Sequence, residues 1–274
     1  IITFYQQTNI LDTCIKNIID TVDKTVFNYE ILVINDNPQI NLNKISQKYK
    51  NSCDISIIQL PENCGYAKAC NIGIPNAKNE YILLMDSDII PSENWLSELF
   101  RTYSSLKNPG SVSAKILEAD TNHLFGFGIG VHNVDFILYK RHGSNDMFSE
   151  KDRRFAMISS GCLLLKKDLY IKIDGQDEYF YNADNDLDLT YRIHLLGKEN
   201  VISTNSIVHH RGHVSGNIRT APFRQDSKAY FFKKWGNRIQ TNTLDMLKEL
   251  YSSFPVQEIS NKVIIVNFSN SLSR

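Results

Sequence analysis

The 274-residue chain has no excess of either charge: 30 Lys plus Arg balance 30 Asp plus Glu. A protein that binds mainly nucleic acid carries a basic face for phosphates, so this balance argues against that partner. No apolar run approaches the roughly 20 residues that span a bilayer, and no charged leader precedes an apolar segment. Cys-x-x-Cys pairs are absent. The five cysteines, Cys14, Cys53, Cys64, Cys70 and Cys162, are odd in number, so neither a disulfide framework nor a zinc knuckle is indicated. Reduced thiols put the expectation in the cytoplasm. Gly126, Gly128 and Gly130 alternate, but no helix opens after them, which excludes a dinucleotide fingerprint there. There is no internal repeat and no low-complexity segment.

The apolar fraction, 42%, is enough for a sizeable core in one large domain or two small ones. The first half alternates strand and helix patterns. Ile1–Tyr5, Glu30–Ile34, Ile55–Leu60 and the run from Tyr81 read as strands. Leu11–Val22, Leu42–Tyr49, Tyr66–Ile74 and Trp95–Tyr103 read as helices, with Leu11, Ile15, Ile18, Ile19 and Val22 on one face of the first. That order predicts an α/β fold with a doubly wound, mostly parallel central sheet flanked by helices. The second half is mixed. Ser111–Leu117, Ile129–Tyr139, Met157–Lys166 and Asn200–Val208 read as strands, Gly143–Arg154 as a mobile loop, and Asp186–Leu196 and Ala229–Trp235 as helices. Beyond Gly236 the pattern predicts a helix over Leu244–Tyr251 and a strand over Lys262–Phe268. The chain opens at Ile1, inside a strand and without Met, which reads as a piece of a longer protein with a further domain or subunit.

Four groups of residues could carry chemistry. Tyr81–Met85 is a buried strand ending on Asp86-Ser87-Asp88. Two carboxylates at one strand end need a cation, a base or water between them. In open α/β sheets the ligand crevice lies outside that end, and oxygen ligands suit Mg2+ or Mn2+ on a phosphate; the plainer reading is a solvated turn. Asp184-Asn185-Asp186-Leu187-Asp188 opens a helix, where carboxylates serve either as caps or as a general base. His209-His210-Arg211-Gly212-His213 follows a strand, where imidazoles can ligate a metal. Asn63-x-Gly65-x-x-Lys68-x-x-Asn71-x-Gly73 allows close backbone approach to a phosphate, with Lys68 in reach; a glycine turn beside an exposed Lys is the bland alternative.

In this order and spacing the pieces resemble the family-two inverting glycosyltransferases with the GT-A fold, of the nucleotide-diphospho-sugar transferase superfamily. The resemblance rests on Ile1-Ile2-Thr3-Phe4-Tyr5, Ile31 to Asp36, Asn63 to Gly73 and Asp86-Ser87-Asp88. It continues through Ser160-Gly161-Cys162, Gly175-x-Asp177-Glu178-x-Phe180, Asn185-Asp186-x-Asp188-Leu189, His209 and Lys234-Trp235-Gly236. It covers 1–236, with a nucleotide-binding half over 1–105, an acceptor half over 106–236 and an extension over 237–274. The resemblance implies a hexosyl- or N-acetylhexosaminyl-transferase that uses a nucleotide-sugar, with a UDP-sugar favoured, and Mn2+ or Mg2+. The acceptor would be a glycan, lipid-linked or protein-linked hydroxyl, in polysaccharide or glycoconjugate synthesis. Thr3, Tyr5 and Asp36 would line the nucleoside pocket, and Asn63, Gly65 and Lys68 would flank the base or diphosphate. Asp86 would contact ribose or metal, with Ser87 beside the donor; Asp88 and His209 would ligate the metal, His210 being the less favoured imidazole. Gly161 and Cys162 would sit by the donor sugar and acceptor, and Asp186 would be the catalytic base. The chain departs from the family at Asn35, usually Asp, which shifts base recognition to Asp36. It departs again at Asn185, usually Glu, and at Gln176, where the family often has Gly-Gly before Phe-Asp-Glu.

Two rival functions use the same residues. A sugar nucleotidyltransferase would want a Gly- and basic-rich loop after the first strand, and Gln6-Gln7-Thr8-Asn9 is not that loop. A degenerate transferase domain could act as a binding module in a larger assembly. Phe231-Phe232-Lys233-Lys234-Trp235 admits peripheral membrane contact, although core packing of its aromatics is the favoured reading.

Overall fold

In the computed structural model residues 1–126, 128–132, 135–138, 151–212, 222–236 and 238–239 are described. The apolar strands of the first half form a parallel block. β1 (Ile2–Phe4), β2 (Glu30–Asn35), β3 (Asp54–Gln59) and β4 (Tyr81–Asp86) lie in the order β3-β2-β1-β4. The helices α1 (Thr8–Thr21), α2 (Asn43–Tyr49) and α3 (Tyr66–Gly73) connect them. Leu11, Ile15 and Ile18 of α1 are buried, as their spacing requires. A short β5 (Ile89–Pro91) and α4 (Trp95–Ser105) follow β4.

The second half contributes β6 (Pro109–Glu118), β7 (Leu124–Gly126), β8 (Ile129–His132), β9 (Asp135–Leu138), β10 (Arg153–Arg154) and β11 (Cys162–Lys166). It also contributes α5 (Lys167–Lys172), α6 (Asn185–Leu195), β12 (Glu199–His210) and α7 (Pro222–Trp235). The sheet continues from β4 as β11-β6-β12-β10. β11 runs antiparallel to both of its neighbours, whereas β12 is parallel to β6. The expected α/β architecture with a mixed second half is therefore present.

Several elements differ from expectation. The strand predicted over Ile129–Tyr139 is an antiparallel pair, β8 and β9, with His132 opposite Asp135. The strand predicted from Met157 begins at Cys162, because the backbone of Ser159-Ser160-Gly161 turns toward Asp86 and the start of α6. β5, β10 and α5 are too short to show a periodicity. The predicted helix over Leu244–Tyr251 and strand over Lys262–Phe268 lie outside the described residues, as do 143–150 of the predicted loop and His213.

Successive strand residues point to opposite faces, and this sorts the core. Met85, Cys162 and Leu164 face α1 and α4 in one cluster. Ile82, Leu84, Leu163 and Leu165 face α5 and α6 in another. Phe231 and Trp235 of α7 are buried against Phe180, Leu187 and Tyr191, which is the core packing expected of them. No helix of the described residues is long and apolar enough to cross a membrane.

Candidate active site

The parity that places Leu84 on the α6 side carries Asp86 to the same side, at the carboxyl end of β4. The chain turns at Ser87-Asp88 and returns as β5, which pairs antiparallel with the end of β12 so that Ile89 faces His210. Arg211 N–H closes this turn on the Asp88 carbonyl at 3.1 Å. His210 Nε2 then lies 3.3 Å from Asp88 Oδ2. Ligand atoms of Asp86, Asp88 and His210 all lie within 4.8 Å of one another. His209, the expected ligand, points the other way, with Nδ1 3.4 Å from Ser92 Oγ. The expectation is corrected by one residue, and in a strand one residue is the difference between faces.

These three side chains fit a divalent cation. Burial, then the like charge of Asp88, pushes the Asp86 carboxyl up to about 7; His210 works against the rise, and Asp186 adds to it. A carboxylate pair held this close lacks positive charge, and two carboxylates with one imidazole leave positions open for phosphate oxygens and water.

Asp186 stands in the first turn of α6. Its Oδ2 accepts the Ser160 N–H at 3.3 Å and its Oδ1 the Leu187 N–H at 2.9 Å. Burial nevertheless raises its affinity for a proton. The capping alternative falls instead to the backbone of Asp184, a residue with φ of 61° and no side-chain cap bond. Asp188 is fully buried and structural. It accepts from Arg192 Nε at 2.7 Å and Trp235 Nε1 at 2.9 Å, and Lys234 Nζ lies 2.7 Å away.

The other expected residues divide. Thr3 pairs with Asp86 across β1 and β4, and Tyr5, at the following loop, is 49% exposed. Asp36 is buried, and its two oxygens accept the N–H groups of Cys64 and Gly65 at 2.7 and 2.9 Å. Its charge therefore holds the loop that carries Asn63 and Gly65. Gly65 has φ of +83°, and a Cβ there would lie 2.5 Å from the Tyr181 ring. The Asn63 side chain accepts the Tyr181 hydroxyl. Lys68 lies in the first turn of α3, partly exposed. Gly161 abuts the Asp86 carboxylate: its carbonyl accepts the Asp86 N–H at 3.1 Å, and a Cβ would lie 3.4 Å from Asp86 Oδ2. Cys162 is a correction. Alternation along β11 turns its thiol into the core beside α1, fully buried, so its side chain does not line the site.

The sequence gives Ser160 a place in a motif but no role, and gives Tyr181 and Asn182 none. Tyr181 and Asn182 meet the start of α3, where the Asn182 amide oxygen accepts the Tyr66 N–H at 2.8 Å and the Tyr181 carbonyl accepts that of Ala67 at 3.4 Å. No local pattern marks contacts between residues over a hundred positions apart. A separate apolar cavity of about 300 Å³ lies by the opening residues of β1, β2 and β4, lined by Ile18, Val22, Phe27 and Phe100 among others, and none of the candidate site residues lines it.

The fold is that of the GT-A glycosyltransferases. GalNAc-T7, solved with UDP, GalNAc and Mn2+, is 13% identical with a TM-score of 0.67, over 92% of this chain and 53% of that one. The mannosyltransferase PcManGT from Pyrobaculum calidifontis, solved with GDP-Man and Mn2+, is 12% identical with a TM-score of 0.64, over 91% and 68%. In sequence, the hyaluronan synthase of Pasteurella multocida is 30% identical over 97 residues, 35% of this chain and 10% of that protein. The model of Glycosyl transferase family 2 matches residues 1–172, and the chain belongs to that family.

Proposed function

We propose that the protein is a metal-dependent inverting glycosyltransferase. It moves a sugar from a nucleotide-diphosphate donor, a UDP-sugar by preference, to a hydroxyl of a saccharide, lipid-linked or protein-linked acceptor. The observation that carries this reading is the convergence of Asp86, Asp88 and His210 at the carboxyl end of β4, with Asp186 on the neighbouring helix end. The UDP and GDP-mannose bound to the structural relatives support a nucleotide-sugar donor.

Asp86, Asp88 and His210 would hold Mn2+ or Mg2+, with His210 in the place first given to His209. When bound, the ion supplies Lewis-acid stabilisation of the departing diphosphate. Asp186 takes the proton of the acceptor hydroxyl as that oxygen attacks the anomeric carbon from the side opposite the diphosphate, inverting the centre. Its raised proton affinity makes it a better base than a solvated carboxylate. The Ser160 and Leu187 N–H groups orient it. The Gly65 loop, held from below by Asp36, would flank the diphosphate; Thr3 and Tyr5 would line the nucleoside pocket.

The departures from the family pattern do not empty this site. Asn35 donates to the Ile40 carbonyl and Gln59 Oε1 at 2.6 and 2.7 Å, so it braces the β2 turn. Asn185 donates to Gln176 Oε1 at 2.8 Å, pairing two of the departures with each other. The binding-module alternative loses its main support.

The test is Asp186→Asn. Sugar transfer and donor hydrolysis should fall by about 10²- to 10⁴-fold, while the thermal shift given by UDP with Mn2+ stays as in the parent. Normal turnover in that variant would sink the assignment. So would the lack of any nucleotide shift in the parent across UDP, GDP, dTDP and ADP.

A further inference from the structure

The segment from Gly175 to Asp184 carries an exposed aromatic ring with no part in the chemistry above. Tyr179 is 58% exposed. Its ring stacks on Tyr230 of α7, with centroids 3.9 Å apart and planes 27° from parallel. Single exposed rings are ordinary on protein surfaces; this one is held in place. Asp177 Oδ1 accepts the Tyr179 N–H at 3.0 Å, and Oδ2 accepts the Tyr230 hydroxyl at 3.0 Å and Lys234 Nζ at 2.7 Å. The Phe180 N–H closes a turn on the Asp177 carbonyl at 3.1 Å. Phe180 itself is fully buried, with its ring 5.1 Å from that of Tyr230.

The same scaffold reaches the base. Lys234 Nζ lies 2.7 Å from Asp188 Oδ1, and Asp188 is two residues beyond Asp186 on α6. The platform and the base are thus tied through one lysine. On the donor side, Tyr181 packs on Gly65. One segment therefore places an aromatic on the donor loop and an outward-facing aromatic two residues earlier, and it ends two residues before Asp186.

We propose that the outer face of Tyr179 is an acceptor subsite that takes the ring of a pyranose. This rests on the transferase reading and narrows its acceptor to a saccharide. A sugar ring has a flat C–H face that packs on an aromatic plane, and hydroxyls at its rim that need polar partners. Glu178 and Asn182, on either side of Tyr179-Phe180-Tyr181, are exposed. Glu178 Oε1 accepts from Asn71 Nδ2 at 3.0 Å and the Asn182 amide oxygen from the Tyr66 N–H, which leaves Glu178 Oε2 and the Asn182 amide N–H groups as the polar rim. A lipid chain would need a continuous apolar groove instead. Because the ring is already immobilised, little conformational freedom is lost on binding.

The test uses the full chain, with UDP and Mn2+ present, on an array of immobilised pyranose oligosaccharides. The parent should capture a subset of them. Tyr179→Ala should weaken capture at least about ten-fold. Tyr179→Leu, which keeps an apolar contact on Tyr230 but offers no ring, should lose capture likewise, and Tyr179→Trp should retain it. The UDP and Mn2+ thermal shift should be the same in all four proteins. Equal capture by Tyr179→Ala or Tyr179→Leu overturns the subsite. Capture of nothing by a parent that shifts with UDP overturns it too, leaving the transferase reading intact. A parent without the UDP shift overturns that reading instead.

Discussion

Asp86 sits where solvent screens it poorly and where Asp88 and Asp186 add charge of its own sign, which is why its carboxyl titrates near 7. A group whose proton affinity rises on folding is a burden to the fold once it ionises. Asp86→Asn removes that charge without changing the shape of the side chain. At pH 8 the metal-free variant should unfold at higher urea than the parent, by about 1–3 kcal/mol, and should show no Mn2+-dependent shift. A variant less stable than the parent would mean that the carboxylate is satisfied by something other than a cation. The same crowding explains why one of two adjacent imidazoles matters. His209 and His210 look alike as letters, and only the strand's facing separates them.

At the scale of elements, α7 is held to α6 by charge as well as by its aromatic face. Lys234 lies between Asp177 and Asp188, and Arg192 ties Asp188 to the carbonyls of Ile173 and Gly175 at 2.6 and 2.7 Å. Burial works to raise the Asp177 carboxyl, but Lys234 and the neighbouring donors outweigh it and leave it below its ordinary range. Lys234→Met should destabilise the protein by about 1–3 kcal/mol in urea unfolding. Lys16→Met, which breaks the exposed pair with Asp20, should leave the midpoint where it is. Equal midpoints for both variants would show that the buried network contributes nothing.

Elements were legible where they are long and periodic. α1 declares its face through Leu11, Ile15 and Ile18, and β4 declares both its burial and its acidic end. β5 has three residues and no period, yet its pairing with β12 decides that His210 and not His209 meets Asp88. The direction of β11 was equally hidden, since an apolar run reads the same both ways. Cys162 was misplaced for want of its register, although Leu163 and Leu165 alternating with Cys162 and Leu164 held the clue to opposite faces. Asp188 and Asp186 both lie in the motif, but the burial that makes one structural depends on Lys234 and Trp235 of α7, which arrive more than forty residues later.

For the molecule as a whole, the crowded carboxylates predict how stability responds to pH. The folded, metal-free protein holds the Asp86 proton up to about 7, whereas an unfolded chain releases it near its ordinary value of about 3.9. Between those values the folded state binds more protons, so this group's contribution to stability falls as pH rises and is lost above about 7. Mn2+ competes with the same proton, so it should stabilise little at pH 5 and most above pH 7. Melting curves from pH 5 to 8, with the metal and with chelator, check this. A metal-induced shift independent of pH would place the ion on other ligands.

The reversed direction of β11 has a consequence for how such a protein can diversify. Its neighbour β4 delivers its carboxyl end to the reaction centre, but β11 delivers its beginning, so Ser160 and Gly161 are the last residues of an incoming connection. The groups that would grip the nucleotide belong to outgoing strands whose registers are locked together. The incoming connection joins the strand ladder only at Cys162, and before it is held by single bonds, between Gly161 and Asp86 and between Ser160 and Asp186. If Asp186 is the base proposed above, changes upstream of Ser160 would retune which hydroxyl meets it while the strands beneath the donor are inherited unaltered.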